Sequence, residues 1–137
     1  MIVVSHRGPV TFRRDATGGF EARRGAGGVV SALGPLLADR SHTHWIAAAI
    51  TPDDHAAVEA GASHVPEFDL TLLQLDPAVH RLHYEVVSNG TLWFLHHGMF
   101  DLVRRPRFDH RFHDAWAGYV EVNARFARAV AETAAGG

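Results

Sequence analysis

The sequence predicts an α/β layer architecture, a mostly parallel sheet with flanking helices. Three features carry that prediction. Ile2 to Val4 and His44 to Ile50 are short, unbroken apolar runs of the kind that form buried strands in parallel sheets. Helix-start chemistry, a capping oxygen followed by proline, comes directly after the second run at Thr51-Pro52 and again at Asp76-Pro77. After Asp109, the residues Phe112, Trp116, Tyr119, Val120, Phe126, Ala127 and Val130 recur at the three-to-four spacing of one helical face.

Taken in order, Ile2 to Val4 is expected to be a central, fully buried strand. Two alternating segments, 10–14 and 20–23, flank Asp15-Ala16-Thr17-Gly18-Gly19 and predict an exposed β-hairpin. Gly25-Ala26-Gly27-Gly28 then opens an apolar-periodic helix over 29–37, with Pro35 close to its end. A strand over 44–50 leads through Thr51 into a short helix ending near Ala60. Residues 68–75 read as a strand, and Asp76 begins a helical stretch. Ser88-Asn89-Gly90-Thr91 reads as a turn or cap before the apolar segment 92–95. Asp109 is the expected cap of the last helix, and Ala134 to Gly137 an expected frayed tail. Without a repeat, linker or low-complexity segment, residues 1–137 are expected to form one domain.

Composition narrows the function classes. The chain has 137 residues, 47% of them hydrophobic, which suits one globular domain with a real core. A net charge of -2 gives no general attraction to nucleic acid or to an anionic membrane, so neither is an expected partner. The absence of cysteine excludes disulfides and thiolate metal sites. The opening apolar stretch is too short for a signal peptide, and no later run reaches membrane-spanning length, so a cytoplasmic location is expected.

Several residues could carry chemistry. Arg23-Arg24 followed by Gly25-Ala26-Gly27-Gly28 at a helix start lets backbone approach a phosphate; the alternative is a structural turn. It is neither a P-loop nor a dinucleotide fingerprint, because no Gly-Lys-Ser/Thr follows and Val30 stands where a third glycine belongs. Arg7 follows the first strand, where ligand crevices form at the carboxyl ends of parallel strands; it reads as an anion contact or as a surface ion pair. Tyr84 and Trp93 bracket a polar segment, and such rings stack on sugars or pack into cores. The 11 histidines, including His96-His97 and the pairs 42/44 and 110/113, lack a recognised metal-ligand spacing with a carboxylate partner and read as ordinary histidines. Arg104-Arg105-Pro106-Arg107 reads as a solvated loop, since no aromatic platform interleaves with it.

In order and spacing, Ile2 through Pro9, Gly25 through Leu33, Trp45-Ile46, Tyr84, Ser88 through Trp93, His97, and Trp116 through Asn123 with Phe126-Ala127 resemble the trehalose-6-phosphate synthase family. The resemblance covers essentially the whole chain but only about the first third of a typical member. It implies the N-terminal, acceptor-side, Rossmann-like domain of a GT-B glycosyltransferase. It implies retaining transfer of glucose from UDP-glucose or a similar nucleotide sugar to glucose-6-phosphate, with no metal or other cofactor. Carried over by position, Arg7 would contact the acceptor phosphate, Tyr84 and Trp93 the acceptor sugar, and Gly27 and Gly28 the donor. The catalytic groups are not assigned, and a homo-oligomer of the longer form is left open.

Departures from the family pattern define the alternatives. His6 replaces a usual asparagine, Gly8 a larger apolar residue, and Ala48 stands where an acceptor-contacting ring is expected. A related sugar-phosphate transferase or pseudo-glycosyltransferase with another acceptor is the second reading, and a noncatalytic sugar-phosphate-binding module the third. The donor half with its diphosphate-binding cations is not in this sequence, so the chain alone is expected to be inactive. The amphipathic last helix is expected to leave apolar surface open and to favour self-association.

Overall fold

A computed structural model describes residues 1–25, 32–33, 43–99 and 108–136. The helix expected over 29–37, Gly27, Gly28 and the basic run 104–107 lie largely or wholly outside those residues. The described chain is α/β, with strands β1 (Ile2–Arg7), β2 (Val10–Arg14), β3 (Phe20–Arg24), β4 (His44–Ala48) and β5 (Asp69–Leu73). Its helices are α1 (Pro52–Glu59), α2 (Pro77–Arg81), a π-helical stretch (Leu82–Leu92), α3 (Trp93–His96) and α4 (His110–Gly136). They fall into two compact units, Met1–Gln74 with Phe126–Gly137, and Leu75–Arg125.

In the first unit, β1, β4 and β5 form a parallel sheet in the order β1-β4-β5. The expectation that the first strand is central and fully buried is corrected. Among the described strands β4 has neighbours on both sides, while β1 lies at the end of the order and Val4 is 46% exposed. A β-branched run looks the same in either place; what buries a strand is pairing on both edges, which its own sequence does not record. Trp45, Ile46, Ala47 and Ala48 of β4 are accordingly all buried, and Trp45 and Ala47 join Leu72, Val65 and Ala57 in the core.

The expected hairpin of β2 and β3 forms, with Val10 opposite Arg24 and Arg14 opposite Phe20. Its turn is organised by Asp15, whose Oδ1 accepts from the Thr17 N–H at 2.7 Å, the Thr17 hydroxyl at 2.6 Å and the Gly19 N–H at 2.9 Å. These bonds hold the Asp15 carboxyl below its usual range, the Thr17 hydroxyl contributing most. The hairpin is not simply exposed, however: Val10 and Phe12 are core residues, because alternation sends one face of β2 inward. Helix α1 matches its signal closely, with a Thr51/Asp54 capping box and Pro52 in the first turn.

In the second unit, Asp76 caps α2 by accepting from the Ala78 and Val79 N–H groups at 2.8 and 3.1 Å. The turn expected at Ser88–Thr91 is absent; the chain stays helical from Pro77 to His96, the middle 11 residues in π-helical form. Ser88 and Thr91 donate their hydroxyls five residues back, to the carbonyls of His83 at 2.8 Å and Val86 at 3.0 Å. Gly90 sits so close to the chain that a Cβ there would lie 2.7 Å from the Glu85 carbonyl oxygen. Residues that signal a turn in isolation here serve a wide helix, the hydroxyls bridging the five-residue step and the glycine allowing it.

Asp109 caps α4 as expected, its Oδ1 accepting from the Phe112 N–H at 3.1 Å. The helix runs to Gly136, so the tail expected to fray is helical. Its buried line is also shifted from the expected face: Ala115, Gly118, Val122 and Ala129 are buried, whereas Trp116 is 41% and Val120 51% exposed. Small residues win that face because they allow close approach. A Cβ at Gly118 would lie 3.3 Å from the Leu82 Cβ and 3.5 Å from the Val79 carbonyl oxygen. The large rings flank it as a ladder, Phe112, Trp116, Tyr119 and His83 stacking in turn at 5.9, 5.0 and 5.2 Å.

Candidate functional site

Parallel pairing brings the carboxyl ends of all three sheet strands to one edge, where Arg7 aligns with Ala48 and Ala48 with Leu73. The approach to Arg7 is irregular, the register shifting between Val4 and Arg7. A two-step relay fixes that irregularity. The buried Trp45 Nε1–H donates to Ser5 Oγ at 2.7 Å, and the Ser5 hydroxyl donates to the Arg7 carbonyl at 2.6 Å. Arg7 itself is exposed, and among the described residues no carboxylate is ion-paired with its guanidinium. Among the described residues the surface-ion-pair reading of Arg7 therefore gains no support, and its planar fork of donors lies at the sheet's carboxyl edge.

Directly after Arg7 the chain turns at Gly8-Pro9, both buried. A Cβ at Gly8 would lie 3.3 Å from both the Ala47 Cβ and the Val10 carbonyl oxygen, so any larger residue there would need its neighbours to give way. The hairpin then returns the chain to the same place. Gly25 donates its N–H to the Pro9 carbonyl at 2.8 Å, and a Cβ on it would lie 3.1 Å from the Gly8 carbonyl oxygen. The first glycine of the Gly25–Gly28 run is thus fixed against the turn that follows Arg7. Gly27 and Gly28 lie outside the described residues.

Tyr84 and Trp93 stand on the second unit's helix, Tyr84 half-buried and Trp93 42% exposed. In an α-helix of about 3.6 residues per turn, positions nine apart face opposite ways. Hydrogen bonds that reach five residues back wind the chain more slowly, so nine residues make about two turns and the two rings come toward one side. Trp93 is held by His97, which stacks on it at 4.2 Å while its Nδ1–H donates to the Trp93 carbonyl at 2.7 Å. Phe94 meets the indole edge-on at 5.0 Å, and Tyr84 stacks with His80 at 6.1 Å. Buried His83 has its pKa lowered, first by desolvation and then by His80.

The sequence reading named Arg7, Tyr84 and Trp93 but missed the groups that hold them, Ser5, Gly8 and the π-helical winding. Only Gly8 left a signal, as a departure from the family pattern. No helix among the described residues is long and apolar enough to cross a membrane.

The sequence profile of glycosyltransferase family 20 matches residues 1–137. The trehalose-6-phosphate synthases of Mycolicibacterium vanbaalenii, Mycolicibacterium gilvum and Mycolicibacterium smegmatis are 38%, 39% and 39% identical over 138 residues. Each alignment covers 99% of this chain but only 27%, 26% and 25% of the relative. The chain spans about a quarter of the length of the curated relatives it matches.

Proposed function

The chain belongs to glycosyltransferase family 20, and from that premise we propose that it forms the acceptor side of a GT-B enzyme that makes trehalose-6-phosphate. In this reading glucose passes from a nucleotide sugar such as UDP-glucose to glucose-6-phosphate with retention of configuration. The bond from the glucose anomeric carbon to the diphosphate breaks, a bond to the acceptor's anomeric oxygen forms, and the proton of that hydroxyl passes to the oxygen of the departing nucleoside diphosphate. Arg7 holds the acceptor phosphate, Tyr84 and Trp93 the acceptor sugar, and the backbone of Gly27 and Gly28 approaches the donor.

The observation that carries the reading is the exposed Arg7 at the carboxyl edge of a parallel sheet, ion-paired with no carboxylate among the described residues, with Gly25 fastened to the turn that follows it. Transition-state stabilisation at the departing diphosphate is assigned to cationic groups outside these residues, so a polypeptide of residues 1–137 binds acceptor without turning it over. Calorimetric titration with glucose-6-phosphate tests this: wild type binds, and Arg7→Ala binds at least about tenfold more weakly. Equal affinity in the two would remove Arg7 from the site. A different acceptor is the second reading, favoured by Ala48, which aligns with Arg7 and puts no ring at that edge. Competition of other sugar phosphates against glucose-6-phosphate separates the two.

A further inference from the structure

We propose that Asp54 is a positioning residue for the Arg7 anion contact, a role that rests on the reading just given. Asp54 is 2% exposed, and three backbone N–H groups from two distant segments converge on its carboxylate. Its Oδ1 accepts from Phe12 N–H at 2.7 Å, and its Oδ2 from Ile50 N–H at 3.1 Å and Thr51 N–H at 2.8 Å. Capping α1 needs only the Thr51 bond. The Phe12 bond crosses 42 positions of sequence to reach the outer edge of the hairpin. Asp53 repeats the grip one pleat further along, its Oδ2 accepting from Arg14 N–H at 3.2 Å.

The consequence is geometric. Ile50 and Thr51 lie in the loop after β4, and Phe12 lies in β2, three residues beyond the Gly8-Pro9 turn that follows β1, so one carboxylate ties the loop at the carboxyl end of β4 to the strand that leaves the carboxyl end of β1. Val10 pairs with Arg24 across the hairpin, and the next residue, Gly25, closes back onto Pro9. Loosening Phe12 therefore loosens the frame that holds both Arg7 and the first glycine of the run. Among the described residues no cation pairs with Asp54, and burying a carboxylate in that way costs stability that an apolar side chain would not, which is reasonable only where the geometry it fixes matters. Asparagine is a poor substitute: with a single oxygen it must release either Phe12 or the Ile50 and Thr51 pair.

The test compares Asp54→Asn with Val65→Ala, a truncation in the same core whose apolar side chain makes none of these hydrogen bonds, in the full chain at a temperature where both are folded by circular dichroism. Two quantities are read, the glucose-6-phosphate affinity and the hydrogen-exchange rate of the Gly25 amide. Asp54→Asn is expected to weaken binding about tenfold and to speed Gly25 exchange, while Val65→Ala changes affinity less than about twofold. Wild-type affinity in Asp54→Asn, or an equal loss in Val65→Ala, overturns the proposal. If wild type does not bind glucose-6-phosphate, the functional reading fails, and Gly25 exchange alone decides: acceleration confined to Asp54→Asn supports the positioning role, and equal exchange in both variants refutes it. If Asp54→Asn does not fold, Asp53→Ala removes the acceptor that grips Arg14 N–H, with about threefold weaker binding expected and unchanged binding contradicting it.

Discussion

Replacing Gly90 by alanine asks whether the second unit's helix is wound as described. In an ordinary helix interior, Gly→Ala stabilises by about 1 kcal/mol. At Gly90 the new Cβ would lie 2.7 Å from the Glu85 carbonyl oxygen, a backbone atom that cannot rotate aside as a flexible side chain would. Forcing a methyl group into a filled space costs about 1–3 kcal/mol, and here it also opposes the five-residue step that Ser88 and Thr91 bridge. The net expectation is a loss of about 1–2 kcal/mol, or a fall in Tm of about 3–10 °C for a chain of this size. Thermal unfolding followed by far-UV circular dichroism measures it directly. A Tm equal to or above wild type would mean that residues 82–92 wind as a common α-helix, and the argument that brings Tyr84 and Trp93 toward one side would fall with it.

Other consequences are as specific. Ser5→Ala removes the acceptor of the buried Trp45 indole N–H and should destabilise the chain by about 1–3 kcal/mol, with a changed tryptophan emission spectrum; unaltered stability in urea would show that the relay to Arg7 is dispensable. His83 has a folded-state pKa below its usual 6.5, so the unfolded chain binds the extra proton more readily. Its contribution to stability is complete above pH 6.5 and is lost as pH falls through the lower folded value. Urea unfolding at pH 7.5 and pH 5 should therefore show a smaller pH-dependent loss in His83→Gln than in wild type, and identical slopes would contradict the assignment. Residues 1–137 alone should release no UDP from UDP-glucose when glucose-6-phosphate is added, and acceptor-dependent release would place the stabilising groups within this chain.

Local chemistry made much of the fold legible. Thr51-Pro52-Asp53-Asp54 specified a capped helix start because every atom of that motif lies within one turn. The hairpin followed from two alternating segments around a short glycine-bearing turn. What could not be read depends on neighbours distant in sequence. Asp54 looked like an ordinary first-turn acid, and nothing near it announces a bond to Phe12. Gly90 carried the signature of a turn, yet it lies within the π-helical stretch Leu82–Leu92. The aromatic periodicity of α4 was real, yet Gly118 allowed the neighbouring helix so close that the small-residue line became the buried one. Arg7, Tyr84 and Trp93 were singled out by residue type and family spacing as candidates, while the Ser5 relay behind Arg7 and the π-helical winding between Tyr84 and Trp93 were not.

The most direct test of the account is a heteronuclear NMR titration of the chain with glucose-6-phosphate, reading the amides of Arg7, Gly8 and Gly25 and the indole N–H of Trp93, with glucose as the neutral control. The account predicts saturable shifts at all four groups with glucose-6-phosphate, and shifts at Arg7, Gly8 and Gly25 that vanish when glucose replaces it. Equal responses to both sugars, or no response at Arg7 and Gly25, would contradict an acceptor-phosphate site at the carboxyl edge of the sheet.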